Sequence, residues 1–298
     1  LPTLSKPLAH NSMSADSVAR LKALLEDCDA VFIGSGAGMS AAAGHDYTDK
    51  EVFKRVYPGW AKRGFSMQYQ LMGYTGWTEA EKWGYYTAHL GLMYFNDAPN
   101  PLYQTIRAVI GDKPHFHMTS NVDGLFRRNG FDPAVIYEPQ GSYGRIQCEG
   151  PCSQTSVWDI EPFFRKCQGA VSEDQIITDP AAVPKCPKCG GTMFINARAD
   201  GSFIEAPEEQ RQALDKFLQA HRNDKVLFLE LGAGMSTPSV IRWPMERLTN
   251  AFPNSNLVRL NWEYEAVPRQ LGDRAFGIKG DIKAVIDRLA AQMDIPTE

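Results

Sequence analysis

Two short glycine loops in this chain have the residue types that hold a dinucleotide. The first, Gly36-Ala37-Gly38-Met39-Ser40-Ala41, matches the G-x-G-x-x-G/A pattern, and the second is Gly232-Ala233-Gly234-Met235-Ser236; each follows an apolar strand. Glycines permit a tight turn, so backbone N–H groups can approach a pyrophosphate, whose charge a following helix N-terminus favours. A glycine turn without a ligand is the alternative for either loop taken alone.

A dehydrogenase would carry one further residue that this chain lacks. Hydride-transferring enzymes place an acidic side chain at the end of a second strand, about 20 residues after the glycine loop. Asp49 and Glu51 lie at that distance, but in a polar, helix-like context. The pattern therefore argues against hydride transfer.

Four of the six cysteines form two pairs with the spacing of a metal site. Three residues separate Cys148 from Cys152, and two separate Cys186 from Cys189. Four thiolates suit tetrahedral zinc in a closed structural site, and they suit rubredoxin-like iron less well. A closed site has no position for water, so we assign it no catalytic role. We interpret the remaining two, Cys28 and Cys167, as inert.

The composition is that of an ordinary globular protein. Of the 298 residues 43% are apolar and 22% are charged, with a net charge of −4. A nucleic-acid binder normally shows a strongly basic footprint, and a membrane span needs about 18 apolar residues in a row; neither is visible. Metal-bound thiolates favour a reducing compartment, so we expect a cytoplasmic protein. Because the chain begins at Leu1, a trimmed organellar leader is left open.

Apolar segments of strand length alternate with segments of helical spacing. The predicted strands are 29–33, 116–119, 134–137, 226–231, 257–260 and 275–278. The predicted helices are 17–27, 79–95, 101–110, 208–222, 239–249 and 282–293. This alternation predicts an α/β fold, with a Rossmann-like parallel sheet and helices on both faces. Ligands of such sheets bind beyond the carboxyl ends of the strands, so we expect the loops that follow the strands to share one crevice.

Two segments interrupt the alternation and set the predicted domains. Residues 145–196 are rich in Cys, Pro and Gln, and we interpret them as a small zinc-ribbon-like module. Residues 1–144 and 197–298 then form the Rossmann-like dinucleotide-binding domain. Within it, residues 49–97 are a helical, aromatic-rich insertion, which we interpret as core, with the lining or lid of an apolar cleft as the alternative.

The order of these motifs resembles the sirtuin family over residues 15 to 293. Between the glycine loop and the first cysteine pair lie Thr119-Ser120-Asn121-Val122-Asp123 and Gln140-Gly141-Ser142, and Leu260-Asn261 follows the second glycine loop. The resemblance implies an NAD-binding Rossmann-like domain with a small zinc domain. It also implies chemistry that cleaves NAD at the nicotinamide–ribose bond.

The resemblance implies roles for individual residues. Asn121 and Asp123 fall on positions that lie against the ribose and the nicotinamide amide, and Gln140 would hold ribose hydroxyls. The phosphate and ribose loop comprises Gly36, Ala37, Gly38 and Ser40. Adenosine-side positions are Gly232, Gly234 and Asn261, and the closing segment near the adenine is Gly280, Asp281 and Ile282. Tyr47 and Met235 are counted as cofactor-binding as well.

The departures from the family pattern carry more information than the matches. Deacylating sirtuins have His before Gly-Ser, where this chain has Gln140. An imidazole titrates near pH ~6.5 and can accept a proton, whereas an amide only donates and accepts hydrogen bonds. If deacylation needs a base to activate the ribose hydroxyl, Gln140 removes it. The segment from Gly44 to Thr48 also stands in place of the usual Gly-Ile-Pro-Asp-Phe-Arg, and Ser120 replaces a common Gln.

These departures resemble class M sirtuins, the macrodomain-linked group of microbes. That resemblance implies protein mono-ADP-ribosyl transfer to a lipoylated carrier related to the glycine-cleavage H protein, with a macrodomain hydrolase acting on the product. Arg198 matches an active-site Arg of the group, although its residue context alone favours a surface Arg. The predicted catalytic residues are Asn121, Asp123, Gln140 and Arg198. An NAD-dependent protein-lysine deacylase and a catalytically silent NAD or ADP-ribose sensor are the alternatives.

Overall fold

A computed structural model describes residues 15–96 and 98–297. The helices are α1 (Ala15–Asp27), α2 (Ala37–Ala42), α3 (Lys50–Val56), α4 (Pro58–Lys62), α5 (Glu79–Met93), α6 (Pro101–Ile110), α7 (Leu125–Arg128), α8 (Glu161–Gln168), α9 (Glu208–Ala220), α10 (Arg242–Ala251) and α11 (Ile282–Gln292). The strands are β1 (Ala30–Ser35), β2 (His115–Thr119), β3 (Ile136–Tyr137), β4 (Gly141–Cys148), β5 (Val157–Asp159), β6 (Met193–Ala197), β7 (Val226–Leu231), β8 (Asn256–Asn261) and β9 (Ala275–Lys279). Within the described ranges, no helix combines the length and apolar character that a membrane crossing requires.

Six strands form one sheet in the order β3-β2-β1-β7-β8-β9. β1, β7, β8 and β9 pair in parallel, with Ile33 opposite Leu229 and Leu260 opposite Ile278. Every residue of β1 and β7 is buried, which explains why these strands read as continuous apolar runs. The predicted α/β class with a Rossmann-like parallel sheet is confirmed. The strand order reverses between β1 and β7, the strands that the two glycine loops follow.

The chain forms two compact units. Of the described residues, the first unit contains 15–43, 101–118 and 213–297, and the second unit contains 44–96, 98–100 and 119–212. In the first unit, Phe32 packs against Phe116, Phe217 and Phe228, with ring centroids 6.0, 6.1 and 5.6 Å away. The two units are defined by which parts of the chain pack together, and this division does not test the predicted domain boundaries. The boundaries at 144/145 and 196/197 therefore stay a prediction.

The second unit is built around a small antiparallel sheet in the order β5-β4-β6. Aromatic side chains of the 49–97 segment, such as Trp60 and Trp83, are nearly fully buried in its core. The edge of Tyr86 packs on Phe194 of β6, with ring centroids 5.6 Å apart. The predicted elements omit this sheet and α8, because β4 is interrupted by glycines and polar residues, β5 has three residues and α8 has only eight.

Candidate functional site

Four predicted binding positions lie at one edge of the first unit. Gly36 follows β1, Gly232 follows β7, Asn261 ends β8 and Gly280 follows β9. Backbone hydrogen bonds join them along the edge: Gly36 N–H donates to the Leu231 carbonyl (3.0 Å), and Gly280 N–H donates to that of Asn261 (3.1 Å). Because parallel strands end at the same edge of a sheet, the fold brings these positions together.

The two glycine loops touch through their backbones. Gly38 N–H donates to the Gly232 carbonyl at 2.9 Å. A Cβ on Gly38 would lie 2.8 Å from the Gly232 Cα, and one on Gly232 would lie 2.5 Å from the Gly38 carbonyl carbon. Gly232 also has φ +64°, where side chains are strained. These two glycines therefore have a packing role of their own, whereas a Cβ on Gly234 would meet no atom within 4 Å.

The residues beside these glycines differ in exposure. Ala37 begins α2 and is exposed, whereas Ser40 is buried. Met235 in the second loop is 51% exposed, so its side chain is accessible. Ile282 belongs to the core. The structure thus places Ala37 and Met235 where a ligand could reach them.

Two predicted polar residues already have intramolecular partners. Asn261 Nδ2 donates to the Ala233 carbonyl (3.0 Å), and its Oδ1 accepts from Tyr264 N–H (3.0 Å). Asp281 caps α11 by accepting from Ala284 N–H (2.8 Å). Both side chains shape the edge, and each keeps acceptor capacity beyond these bonds.

A buried ion network supports the second glycine loop, and sequence reasoning missed it. Arg259 donates to both carboxylate oxygens of Glu230, at 2.7 and 2.8 Å, and to Glu246 at 2.8 Å. Arg242 donates to the carbonyls of Ala233 (3.0 Å) and Tyr264 (2.9 Å). Glu230 and Arg259 lie inside runs that read as apolar strands, so their pairing becomes visible only in the β7–β8 register.

The four predicted catalytic residues lie in the second unit. Backbone hydrogen bonds at the start of β4 connect the three chain segments that carry them. Arg198 N–H donates to the Gln140 carbonyl (2.9 Å), and Tyr143 N–H donates to the Val122 carbonyl (2.7 Å). Gly141 has φ +96°, and a Cβ there would lie 2.0 Å from the Asn196 carbonyl oxygen. A glycine is therefore required after Gln140, and it fixes the backbone at that position.

Asp123 and Arg198 sit in contrasting surroundings. Asp123 is 5% exposed, and its Oδ1 accepts from Leu125 N–H at 3.0 Å. Arg198 lies at the surface, where its Nη2 is 2.5 Å from Glu205 Oε1 and its Cζ lies 4.3 Å from the Phe203 ring centroid. The Asn121 and Gln140 side chains are half-buried.

A histidine and two tyrosines lie near Asp123. Burial lowers the pKa of His45, while the negative charge of Asp123 opposes that shift. The hydroxyls of Tyr47 and Tyr143 are 3.0 Å apart, and burial, aided by Asp123, raises the pKa of both phenols. Sequence reasoning missed His45 and Tyr143 as members of this group, although each lies within a segment that it singled out.

His89 is the other histidine of the second unit and is held neutral. Its Nδ1 lies 3.0 Å from Tyr57 Oη and 2.6 Å from Gln68 Nε2; the amide nitrogen can only donate, so Nδ1 accepts and Nε2 carries the proton of the neutral ring. Burial, together with the nearby His45, lowers the pKa of His89 to about 3. His45 is therefore the imidazole of this unit that could exchange a proton near Asp123.

The four paired cysteines form a cluster whose geometry fits zinc. Their sulfur atoms all lie within 4.8 Å of one another. Cys148 and Cys189 sulfurs are 3.7 Å apart, and those of Cys152 and Cys186 are 3.8 Å apart. Tetrahedral coordination with Zn–S bonds of about 2.3 Å requires sulfur separations of about 3.8 Å. The donor set and its spacing thus suit a closed structural zinc site.

Two curated proteins are similar to this chain. A probable bifunctional ADP-ribose hydrolase/ADP-ribosyltransferase of Fusarium oxysporum f. sp. cubense is 34% identical over 294 residues, which cover 95% of this chain and 49% of that protein. A protein ADP-ribosyltransferase of Staphylococcus aureus strain Mu50 is 29% identical over 272 residues, covering 89% of this chain and 84% of that protein. The chain therefore spans about half of the first relative. No family model matches it.

Solved structures of Sir2 proteins share the fold. Sir2Tm bound to a propionylated peptide has a TM-score of 0.55 at 18% identity, covering 94% of this chain and 99% of that one. A complex of Sir2 with a p53 peptide and NAD+ has a TM-score of 0.52 at 17% identity, covering 93% and 98%. Such identities show the fold alone. Together with the curated relatives, they confirm the resemblance to sirtuins that the motifs indicated.

Proposed function

We propose that this chain, whose fold is that of sirtuins, is an NAD-dependent protein mono-ADP-ribosyltransferase of the class M type. The observation that carries the proposal is Gln140, an amide at the position where deacylating sirtuins have a titratable ring. The names of both curated relatives include ADP-ribosyltransferase, which also supports transfer of ADP-ribose to a protein. A transferase needs the ribose held and the leaving group released, and an amide can assist both without accepting a proton.

The first unit would hold the adenosine and the phosphates. Its edge carries backbone groups of the two glycine loops, and Gly234 leaves open space beside them. Ala37 and Met235 are exposed there. The reversal of strand order between β1 and β7 is where sheets of this kind bind ligands, which supports the assignment.

The second unit would act on the nicotinamide ribose. NAD supplies the ADP-ribosyl group, with nicotinamide as the leaving group. The nearly buried Asp123 carboxylate would accept a hydrogen bond from the carboxamide and fix the ring's orientation. Asn121 and Gln140 would donate and accept hydrogen bonds at the ribose hydroxyls, as fixed dipoles in a partly dry site. Zinc at the four cysteines would have a structural role only.

Arg198 would contact the acceptor protein. Its guanidinium lies at the surface between Glu205 and the Phe203 ring, while its backbone is bonded to Gln140. The guanidinium could therefore attract an acidic acceptor side chain while the backbone of Arg198 stays hydrogen-bonded to Gln140. A lipoylated carrier related to the glycine-cleavage H protein is the acceptor that we propose. A macrodomain hydrolase would act on the product; the printed name of the Fusarium relative joins the two activities in one protein.

An NAD-dependent deacylase is the second candidate, and His45 favours it. This imidazole lies near Asp123, and its lowered pKa leaves it neutral at neutral pH, the form that accepts a proton. His45→Gln separates the two candidates. A deacylase that depends on His45 would lose its activity, whereas protein ADP-ribosylation by the transferase would persist.

The decisive experiment incubates the protein with labelled NAD and a cell lysate, and identifies labelled protein by mass spectrometry. We expect ADP-ribose on a protein acceptor. Asn121→Ala should lower transfer at least about 100-fold, because it removes positioning of the ribose, with zinc content and melting temperature unchanged. The matched control is Asn223→Ala, an exposed position in the first unit. Retained transfer by Asn121→Ala would remove that residue from the mechanism.

A further inference from the structure

A pocket of about 440 Å³ opens within the second unit, apart from the residues assigned above. Five aromatic rings line it, and they come from α5, from the loop before it, from β6 and from the loop after β6. The rings are those of Tyr74, Trp77, Tyr86, Phe194 and Phe203. We call this space the aromatic pocket.

The aromatic pocket also contains a buried ammonium group between two carboxylates. The Lys82 side chain is 3% exposed, and its Nζ lies 2.7 Å from Glu79 Oε1 and 3.1 Å from Glu149 Oε2. Asp200 adds a third carboxylate to the lining. With three acidic groups against one basic group, the pocket carries a net negative charge.

One oxygen of this cluster has unused capacity. Among the described residues, Glu79 Oε2 is buried and accepts no hydrogen bond, although Oε1 of the same carboxylate is paired with Lys82. A buried acceptor without a donor costs free energy, and a donor brought by a ligand would remove that cost once the Glu79 carboxylate rotates toward the pocket. A neutral alkyl group would leave this oxygen unsatisfied, and an anion would be repelled.

Aromatic faces together with carboxylates select cations. A guanidinium or an ammonium group is attracted to the faces of Trp and Tyr rings, and more strongly where water is displaced. The pocket is too small for a folded element but accommodates one long side chain. Its chemistry therefore matches a lysine or arginine side chain.

The wall of the pocket is continuous with the segment that carries Arg198. Ala197 and Ala199, the neighbours of Arg198 in the chain, both line the pocket. Arg198 N–H is bonded to the Gln140 carbonyl at 2.9 Å, and the Arg198 guanidinium lies against the Phe203 ring. A side chain in the pocket would thus lie one residue away from Arg198 along this segment.

We propose that the aromatic pocket binds a lysine or arginine side chain of the acceptor protein and so selects acceptors with a basic residue near the modified position. The assignment to an acceptor rests on the proposed transferase function. The binding of a cationic side chain does not, because it needs neither NAD nor turnover.

The test uses the whole protein, with its six tryptophans labelled as 5-fluorotryptophan and followed by fluorine NMR. Trp77→Phe assigns the Trp77 resonance. The probes are N-acetyl-arginine methylamide, N-acetyl-lysine methylamide, the neutral N-acetyl-norleucine methylamide and lipoamide. We expect the two cations to shift the Trp77 resonance saturably, with a Kd at least about fivefold below that of either neutral probe.

Two charge variants locate the binding. Glu79→Gln should raise the Kd of the arginine probe about fivefold, since it removes one negative charge from the pocket lining. Glu173→Gln makes the same charge change at an exposed position outside the pocket and should leave the Kd unchanged. If Glu79→Gln unfolds, Asp200→Asn takes its place, with an expected rise of about threefold.

Equal binding of the norleucine probe, tighter binding of lipoamide, or no saturable shift with either cation would overturn the proposal. A Kd that is unchanged in the folded pocket variant would do so as well. Transfer of label from NAD to protein by the wild type is measured in parallel. Failure of that transfer with cation binding intact would count against the transferase function and leave the pocket assignment standing.

Discussion

The two units build their proposed binding residues in different ways. The first unit relies on backbone: Gly38 and Gly232 pack without side chains, and Gly36 and Gly280 are joined to neighbouring strand ends by amide hydrogen bonds. The second unit relies on side chains that come from distant parts of the chain, among them His45, Asp123, Tyr143 and Arg198. A site made from backbone tolerates few changes of residue type, whereas a site made from side chains can change its chemistry by single substitutions.

In the proposed transferase, the backbone of the first unit would hold NAD and the side chains of the second unit would set the reaction. The backbone edge fixes the strand ends around the β1–β7 reversal. In the proposed transferase, an amide in place of an imidazole at position 140 would change the proton chemistry, while Gly141 and the hydrogen bond from Arg198 N–H hold the backbone there.

The largest effect on stability should come from the buried ion pairs of Arg259 with Glu230 and Glu246 in the first unit. Arg259→Met leaves the buried Glu230 carboxylate without its bidentate partner, so we expect a loss of about 3–5 kcal/mol in the free energy of unfolding. Urea denaturation measures it, with Arg222→Met at an exposed position as the control. Substitutions at exposed positions usually change the free energy of unfolding by no more than about 0.5 kcal/mol. A loss below about 1 kcal/mol for Arg259→Met would therefore show that the edge does not depend on this network.

The next effect tests the contact between the glycine loops. Gly232→Ala introduces a Cβ 2.5 Å from the Gly38 backbone at a positive φ, and we expect it to cost about 2–4 kcal/mol. Gly234→Ala, two residues later, meets no atom within 4 Å and should change stability by less than about 0.5 kcal/mol. Similar costs for the two variants would contradict the backbone account of the first unit.

A pH titration tests the side-chain core of the second unit. The pKa of His89 is about 3 in the folded chain against an ordinary value of 6.5, so the unfolded chain takes up the proton first. This contribution to stability is present above pH ~6.5 and is lost as the pH falls, by about 2 kcal/mol between pH 7 and pH 5. His89→Gln should lack that part of the decline. Parallel profiles for the two proteins would show that His89 is not held neutral.

The smallest expected change concerns Gln140 itself. Gln140→His restores a titratable ring on an unchanged backbone, and we expect the free energy of unfolding to change by less than about 0.5 kcal/mol. Deacylation of an acetyl-lysine peptide should rise only slightly, because the segment from Gly44 to Thr48 still differs from that of deacylases. Deacylation at the rate of a dedicated deacylase would mean that Gln140 alone sets the reaction.

The features that the sequence predicts are those set by local chemistry. The glycine loops need particular backbone angles and close approach, and the cysteine pairs need fixed spacing, so both leave a pattern in neighbouring residues. His45 and Asp123 are 78 positions apart, and Glu230 and Arg259 are 29 apart. Only the folded register brings such residues together, and this explains why the ion network of Glu230 and Arg259 and the charged groups of the aromatic pocket were missed. The β4 strand of the second unit's sheet is interrupted by glycines and polar residues, so it leaves equally little periodicity.

The most direct test gives the wild-type protein labelled NAD, lysate and an acetyl-lysine peptide in one reaction, and separates the products. We predict ADP-ribose bound to protein, free nicotinamide and an unchanged acetylated peptide. Free lysine peptide with O-acetyl-ADP-ribose as the main products would contradict the account, since an amide at position 140 could then not be what directs the reaction.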